Sequence, residues 1–240
     1  MRTILSMNSG WRFSKVSAVP EIFPEDWEQV SLPHTWNAVD GQDGGNDYWR
    51  GTACYVRKLS RPEAAPGSRI YLEINGAAMS AEVYLNGKKR TRHEGGYSTF
   101  RVDLTDVMEE ENLLCVTVDN GDNDHVYPQK ADFTFYGGLY RDVNLVIVPE
   151  NHFELVKDGT PGIKVTPVVD LEKHCASVTV ETWQNGGKVT YIVNGESRTA
   201  ISENGYARAE FVLENVHLWD GLKDPYLYER PYTFQYPLVF

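Results

Sequence analysis

The chain has 240 residues, 41% of them apolar and 24% charged, with a formal net charge of −11. That length permits a sizeable core without help from metals or disulfides. The excess of acid excludes the basic patches that nucleic acid or an anionic membrane surface requires, so neither is expected as a partner. Three widely spaced cysteines, Cys54, Cys115 and Cys175, fit neither a zinc pattern nor a disulfide framework and predict reduced thiols in a cytoplasmic protein. The residues Met1 to Asn8 carry one basic group and no long apolar stretch, so no secretory leader is predicted. No apolar run reaches the roughly 18 residues of a membrane span.

Taken in chain order, the elements read as short strands. Ile70, Leu72 and Ile74 alternate with Tyr71 and Glu73, the period that puts successive side chains on opposite faces of a sheet. The same alternation recurs at Ala81/Val83/Leu85, Phe100/Val102/Leu104, Leu114/Val116/Val118 and Val143/Leu145/Ile147. Glu25–Trp27 and Thr105–Glu110 each suit a single helical turn. A boundary falls near residue 150, at Pro149-Glu150-Asn151-His152, after which a second set begins with Val178/Val180, Val189/Tyr191/Val193 and Ala207/Ala209/Phe211/Leu213. Six Asn-Gly dipeptides, at 75–76, 86–87, 120–121, 185–186, 194–195 and 204–205, punctuate the chain. Both residues tolerate the positive φ of tight hairpins, which marks an antiparallel all-β protein. The prolines of Arg230 to Pro237 interrupt ladder hydrogen bonding, so the second sandwich is expected to stop before its final strand.

Motifs for nucleophilic, phosphate or dinucleotide chemistry are absent: there is no Gly-x-Ser-x-Gly, no phosphate loop and no Gly-x-Gly-x-x-Gly. The histidines, at 34, 93, 125, 152, 174 and 217, show no metal-ligand spacing. Asp119-Asn120-Gly121-Asp122-Asn123-Asp124 reads as a solvated turn or as a cation loop, although its acids are out of register with an EF-hand. The segment Asp40 to Arg50 combines acids, amides, two aromatics and an arginine, the groups that hold sugar hydroxyls and C–H faces; it reads equally as a polar linker.

Several blocks stand in order along the chain: Gly10-Trp11-Arg12-Phe13; Val30-Ser31-Leu32-Pro33-His34-Thr35-Trp36-Asn37 with Asp40-Gly41; Tyr48-Trp49-Arg50-Gly51 with Tyr55-Val56-Arg57-Lys58; Ala81 to Gly87; Gly95 to Phe100; Asp132 to Val143; and Leu218-Trp219 with Asp224 to Tyr228. Together they resemble glycoside hydrolase family 2, which includes β-galactosidases, β-glucuronidases and β-mannosidases. The resemblance implies a jelly-roll (galactose-binding-like) β-sandwich over 1–150, then a truncated immunoglobulin-like β-sandwich over 151–240. The catalytic (β/α)₈ barrel of the family is missing, and with it the Asn-Glu dipeptide that holds the acid/base, so no catalytic residue is assigned. The implied function is the non-catalytic N-terminal portion of a β-galactosidase-like hydrolase, with a β-glycoside or galactose-like sugar and the missing barrel as partners. The alternatives are a free-standing carbohydrate-binding module and an interaction module that docks on a separate catalytic chain.

By the same resemblance Asp132 is the leading sugar contact, with a monovalent or divalent cation beside it and no other cofactor. Thr35 stands where the β-galactosidase branch has an amide, and Asn37 or Asp40 is placed to take over that contact. Arg141 and Asp142 are expected to tie strand ends through an ion pair, and Trp11, Trp27 and Trp36 to fill the core. A missing last strand leaves an open edge, from which homo-oligomers or aggregates are expected.

Overall fold

The computed structural model describes residues 2–38, 40, 48–127, 134–184, 187–228 and 232–234. It is all-β and antiparallel, and the chain divides into two compact units, Met1–Pro149 and Glu150–Phe240. Among the described residues no helix is long and apolar enough to cross a membrane.

Among the described residues the first unit holds ten strands: β1 (Thr3–Ser6), β2 (Trp11–Ser14), β3 (Glu28–Val30), β4 (Thr52–Ser60), β5 (Arg69–Ile74), β6 (Ser80–Leu85), β7 (Lys88–Glu94), β8 (Phe100–Asp103), β9 (Glu111–Asp119) and β10 (Val143–Val148). They form a six-stranded sheet, β3-β2-β4-β9-β6-β7, and a four-stranded sheet, β1-β10-β5-β8. The alternating apolar residues of both sheets meet in one core that includes Trp11, Tyr55, Ile70, Leu72, Ile74, Val83, Leu85, Leu114 and Val116, all essentially without exposure. Each such side chain contributes about 1.5–3 kcal/mol on burial. The outer face of β5 is buried too: Glu73 sits against Arg101 at 2.7 Å and accepts from Asn144 at 3.3 Å, so a charge is tolerated because it is paired. Trp11 and Trp36 lie in the core, whereas Trp27 is half-buried over a small outer cluster.

Among its described residues the second unit has one 3-10 turn, Lys157–Gly159, and six strands: β11 (Ile163–Asp170), β12 (Cys175–Trp183), β13 (Lys188–Val193), β14 (Glu196–Ile201), β15 (Tyr206–Glu214) and β16 (Tyr232–Phe234). Sheets β11-β12-β15 and β14-β13-β16 enclose Val178, Val180, Val189, Tyr191 and Phe211. The Tyr191 hydroxyl, fully buried, is satisfied by Thr182 Oγ1 at 2.7 Å. Strand β16 lies within the Pro-rich stretch, where the β-favouring Tyr-Thr-Phe pairs with β13 from Tyr191↔Tyr232 to Val189↔Phe234.

Three Asn-Gly pairs turn as expected, with both φ positive: Asn86/Gly87 at 53° and 73°, Asn194/Gly195 at 49° and 82°, Asn204/Gly205 at 52° and 79°. Asn185-Gly186 lies outside the described residues. Asn75-Gly76 and Asn120-Gly121 do not adopt positive φ and do other work. The two segments expected to be helical are hydrogen-bonded turns, closed by Trp27 N to Pro24 O and by Met108 N to Leu104 O.

Candidate functional site

Between β3 and β4, and again after β9, the chain leaves the first sandwich at one end, and the loops there are locked by two side-chain amides. Asn37 is fully buried. Its Nδ2 donates to both carboxylate oxygens of Asp40 at 3.1 and 3.2 Å and to the Trp49 carbonyl at 2.9 Å. Its Oδ1 accepts from Asn120 Nδ2 at 3.1 Å and from the Gly137 amide at 2.8 Å. Asn120, equally buried, donates to the Phe135 carbonyl at 3.1 Å and accepts from the Gly51 amide at 2.9 Å. Asp40 Oδ2 also accepts from the Trp49 amide at 2.9 Å, and Thr35 Oγ1 donates to the Gly137 carbonyl at 2.8 Å. The result is a satisfied polar knot in a low-dielectric setting, where every member restrains its neighbours.

Thr35, Asn37 and Asp40 are therefore brought together, but their polar atoms face one another and the surrounding backbone. Asn37 in particular has no donor or acceptor capacity left for a sugar hydroxyl. Asp132 lies outside the described residues. The aromatics of the Asp40 to Arg50 segment are committed to packing as well: Trp49 meets Trp36 edge-on at 5.4 Å, and Tyr48 packs beside Phe135 and Val126. Sequence reasoning missed Asn120, whose Asn-Gly spelling signals a turn. Arg141 differs from its expected role: its Nη1 donates to the carbonyls of Tyr97 at 2.9 Å and Asn75 at 3.3 Å, while Asp142 accepts from Asn8 Nδ2 at 2.8 Å.

The knot fixes the Gly137-Gly138 bend. A Cβ on Gly137 would stand 2.0 Å from the Trp36 ring, and one on Gly138, whose φ is +134°, 2.4 Å from the His34 carbonyl. Only glycine allows the chain to press this closely on the Leu32 to Trp36 segment. Beside the bend lies an apolar hollow of about 280 Å³, lined by Ala78, Met79, Tyr97, Thr134, Phe135, Tyr136 and Tyr140. Its walls are stiff, because the Tyr140 hydroxyl donates to the Gly96 carbonyl and the Arg141 guanidinium stacks 5.2 Å from the Tyr140 ring centre. Tyr97 and Tyr136 remain 52% and 38% exposed, so two aromatic faces are offered to solvent. The hollow is just below the ~300–1,000 Å³ of drug-sized ligand sites, a scale that suits a single ring.

A larger polar groove of about 510 Å³ crosses the outer face of β4, β9 and β6, with Thr52, Glu82, Tyr84, Thr117, Asp119 and the stretch from Asp122 to His125 around it. Three of its acids are engaged: Glu82 with Lys89, Arg92 and Tyr84, Asp119 with Thr52 and the Gly121 amide, Asp122 with Arg50 at 3.0 Å. The 119–124 segment is thus a hydrogen-bonded turn, and among the described residues no group of three or more potential ligands gathers to hold a metal. Hydrogen bonds from Lys89 and Tyr84 hold the Glu82 carboxyl below its ordinary range. Glu94, Asp103 and Asp170 are shifted the same way.

Residues 43–149 match the model of the sugar binding domain of glycosyl hydrolases family 2. A β-glucuronidase of Bacteroides fragilis is 32% identical over 95% of this chain. The chain carries the sugar binding domain of glycosyl hydrolase family 2 over residues 43–149. It covers 35% of that β-glucuronidase and 28% of a β-galactosidase of Bacteroides ovatus, to which it is 32% identical over 92% of its own length. An FMN-binding β-glucuronidase from Faecalibacterium prausnitzii L2-6 superposes with a TM-score of 0.78 at 39% identity, over 95% of this chain and 36% of that one. The chain thus spans about a third of the length of these relatives and corresponds to the non-catalytic, N-terminal portion of the family's enzymes.

Proposed function

We propose that this chain forms a sugar-facing wall of a β-glycoside-cleaving site, β-glucuronides being the first substrate class and β-galactosides the second. In this reading the carboxylates that break the bond stand elsewhere in the whole protein. The observation that carries it is the aromatic hollow, set in a sandwich that belongs to the family's sugar binding domain. Aromatic faces pack on the C–H edges of a pyranose, and the knot built on Asn37 and Asn120 supplies the rigidity such a platform requires. The order of substrate classes follows the relatives, among which β-glucuronidases and β-galactosidases both occur. Saturation-transfer NMR of the full chain with methyl β-glucuronide and methyl β-galactoside tests the proposal. Transfer to the ring protons that disappears in Tyr97→Ala and Tyr136→Ala supports it. Transfer unaffected by both substitutions, or none with either sugar at high millimolar concentration, overturns it.

A further inference from the structure

Strands β4 and β9 are the two central members of the six-stranded sheet and exchange the longest ladder in it, from Thr52↔Asp119 to Ser60↔Glu111. In that register Cys54 faces Thr117 and Val56 faces Cys115, which makes the two cysteines diagonal neighbours on one face of the sheet. Their sulfurs are 2.9 Å apart, and neither side chain is more than 1% exposed. Val19, Phe23, Trp27, Tyr84 and Leu113 pack over them. Cys175, half-buried, belongs to β12 of the other unit. The sequence spacing that predicted three unrelated thiols therefore hides one pair in contact.

We propose that Cys54 and Cys115 are a covalent modification site, closing to a disulfide that ties β4 to β9 when the chain folds in the presence of a small disulfide donor. The thiolate of one cysteine attacks the donor, forming a mixed disulfide and releasing one donor thiol. The thiolate of the second attacks the protein sulfur of that mixed disulfide; the Cys54–Cys115 bond forms and the second donor thiol leaves. The protein loses two electrons and two protons, and the donor disulfide takes both as two thiols.

The timing follows from the burial. Contact with Cys54, and then burial, pushes the Cys115 thiol up, which suppresses the attacking thiolate once the fold is complete. Closure thus belongs to the stage before Val19, Phe23 and Trp27 cover the pair. The bond encloses a long loop, so it raises the unfolding midpoint of the oxidised chain.

The test is to unfold the full chain in urea and refold it in a mixture of reduced and oxidised glutathione. Acid quenching and alkylation then allow free thiols to be counted and peptides mapped. The expected result is one free thiol, Cys175, and a linked pair of peptides carrying Cys54 and Cys115, lost in Cys54→Ser. Cys175→Ser, which leaves the pair intact, must still lose two thiols, so a folding defect in Cys54→Ser does not decide the matter. Retention of all three thiols, linkage through Cys175, or accumulation of glutathione on Cys54 and Cys115 without closure overturns the proposal.

Discussion

Truncating Asn37 to alanine removes the donors and acceptors that hold Asp40, Trp49, Asn120 and Gly137 together, leaving several of those groups buried without partners. Each orphaned buried group costs about 1–3 kcal/mol, so Asn37→Ala is expected to destabilise the chain by about 2–4 kcal/mol, read as a lower urea midpoint. Thr35→Val, which loses the bond to the Gly137 carbonyl and the acceptor of the Asn37 amide, is expected to cost about 1–2 kcal/mol in the same measurement. Gly137→Ala drives a methyl into the Trp36 ring, and a loss of about 1–3 kcal/mol is expected, with a change in tryptophan emission as Trp36 is displaced. Thr35, Asn37 and Asp40 were legible as a group because they share one sequence block. Their role was not legible. The partners that bury Asn37 come from positions 83 and 100 residues further along the chain, and no local pattern reveals such contacts.

At the scale of the element, alternation marked the strands of both units because one face of each meets a core; β15, with its regular buried-exposed rhythm, is the clearest case. Hairpin turns were legible where Asn and Gly both take positive φ. Gly87→Ala and Gly195→Ala are each expected to cost about 1 kcal/mol by thermal melting, since alanine is strained at φ of 73° and 82°. The same dipeptide misleads at 75–76 and 120–121. There Gly76 admits the Tyr140 and Arg141 side chains, and Asn120 holds the knot, both set by packing partners distant in sequence. One edge of the six-stranded sheet is β7, whose Lys88, Lys89, Arg90 and Arg92 discourage pairing with another chain.

Over the whole molecule, protonation sets the range of stability. Burial pushes both His34 and His93 below the ordinary histidine value of 6.5. His34 is held against the Tyr55 hydroxyl at 2.7 Å, and His93 is stacked on Phe100 at 4.2 Å. Below pH 6.5 the unfolded chain takes up protons that the folded chain refuses, so the contribution of these residues is complete above that pH and declines as pH falls through it. The Tm is therefore expected to drop between about pH 7.5 and about pH 5.5, and the drop to be smaller in the double variant His34→Gln, His93→Asn.

On the proposed reading, the chain supplies a sugar-facing wall, and the carboxylates that break the glycosidic bond stand elsewhere in the whole protein. The most direct test is turnover of nitrophenyl β-glucuronide and nitrophenyl β-galactoside by the purified chain. The account expects a rate indistinguishable from the buffer blank. A rate clearly above the blank that is abolished by Glu82→Gln, or by replacing another of the chain's own carboxylates, would contradict it.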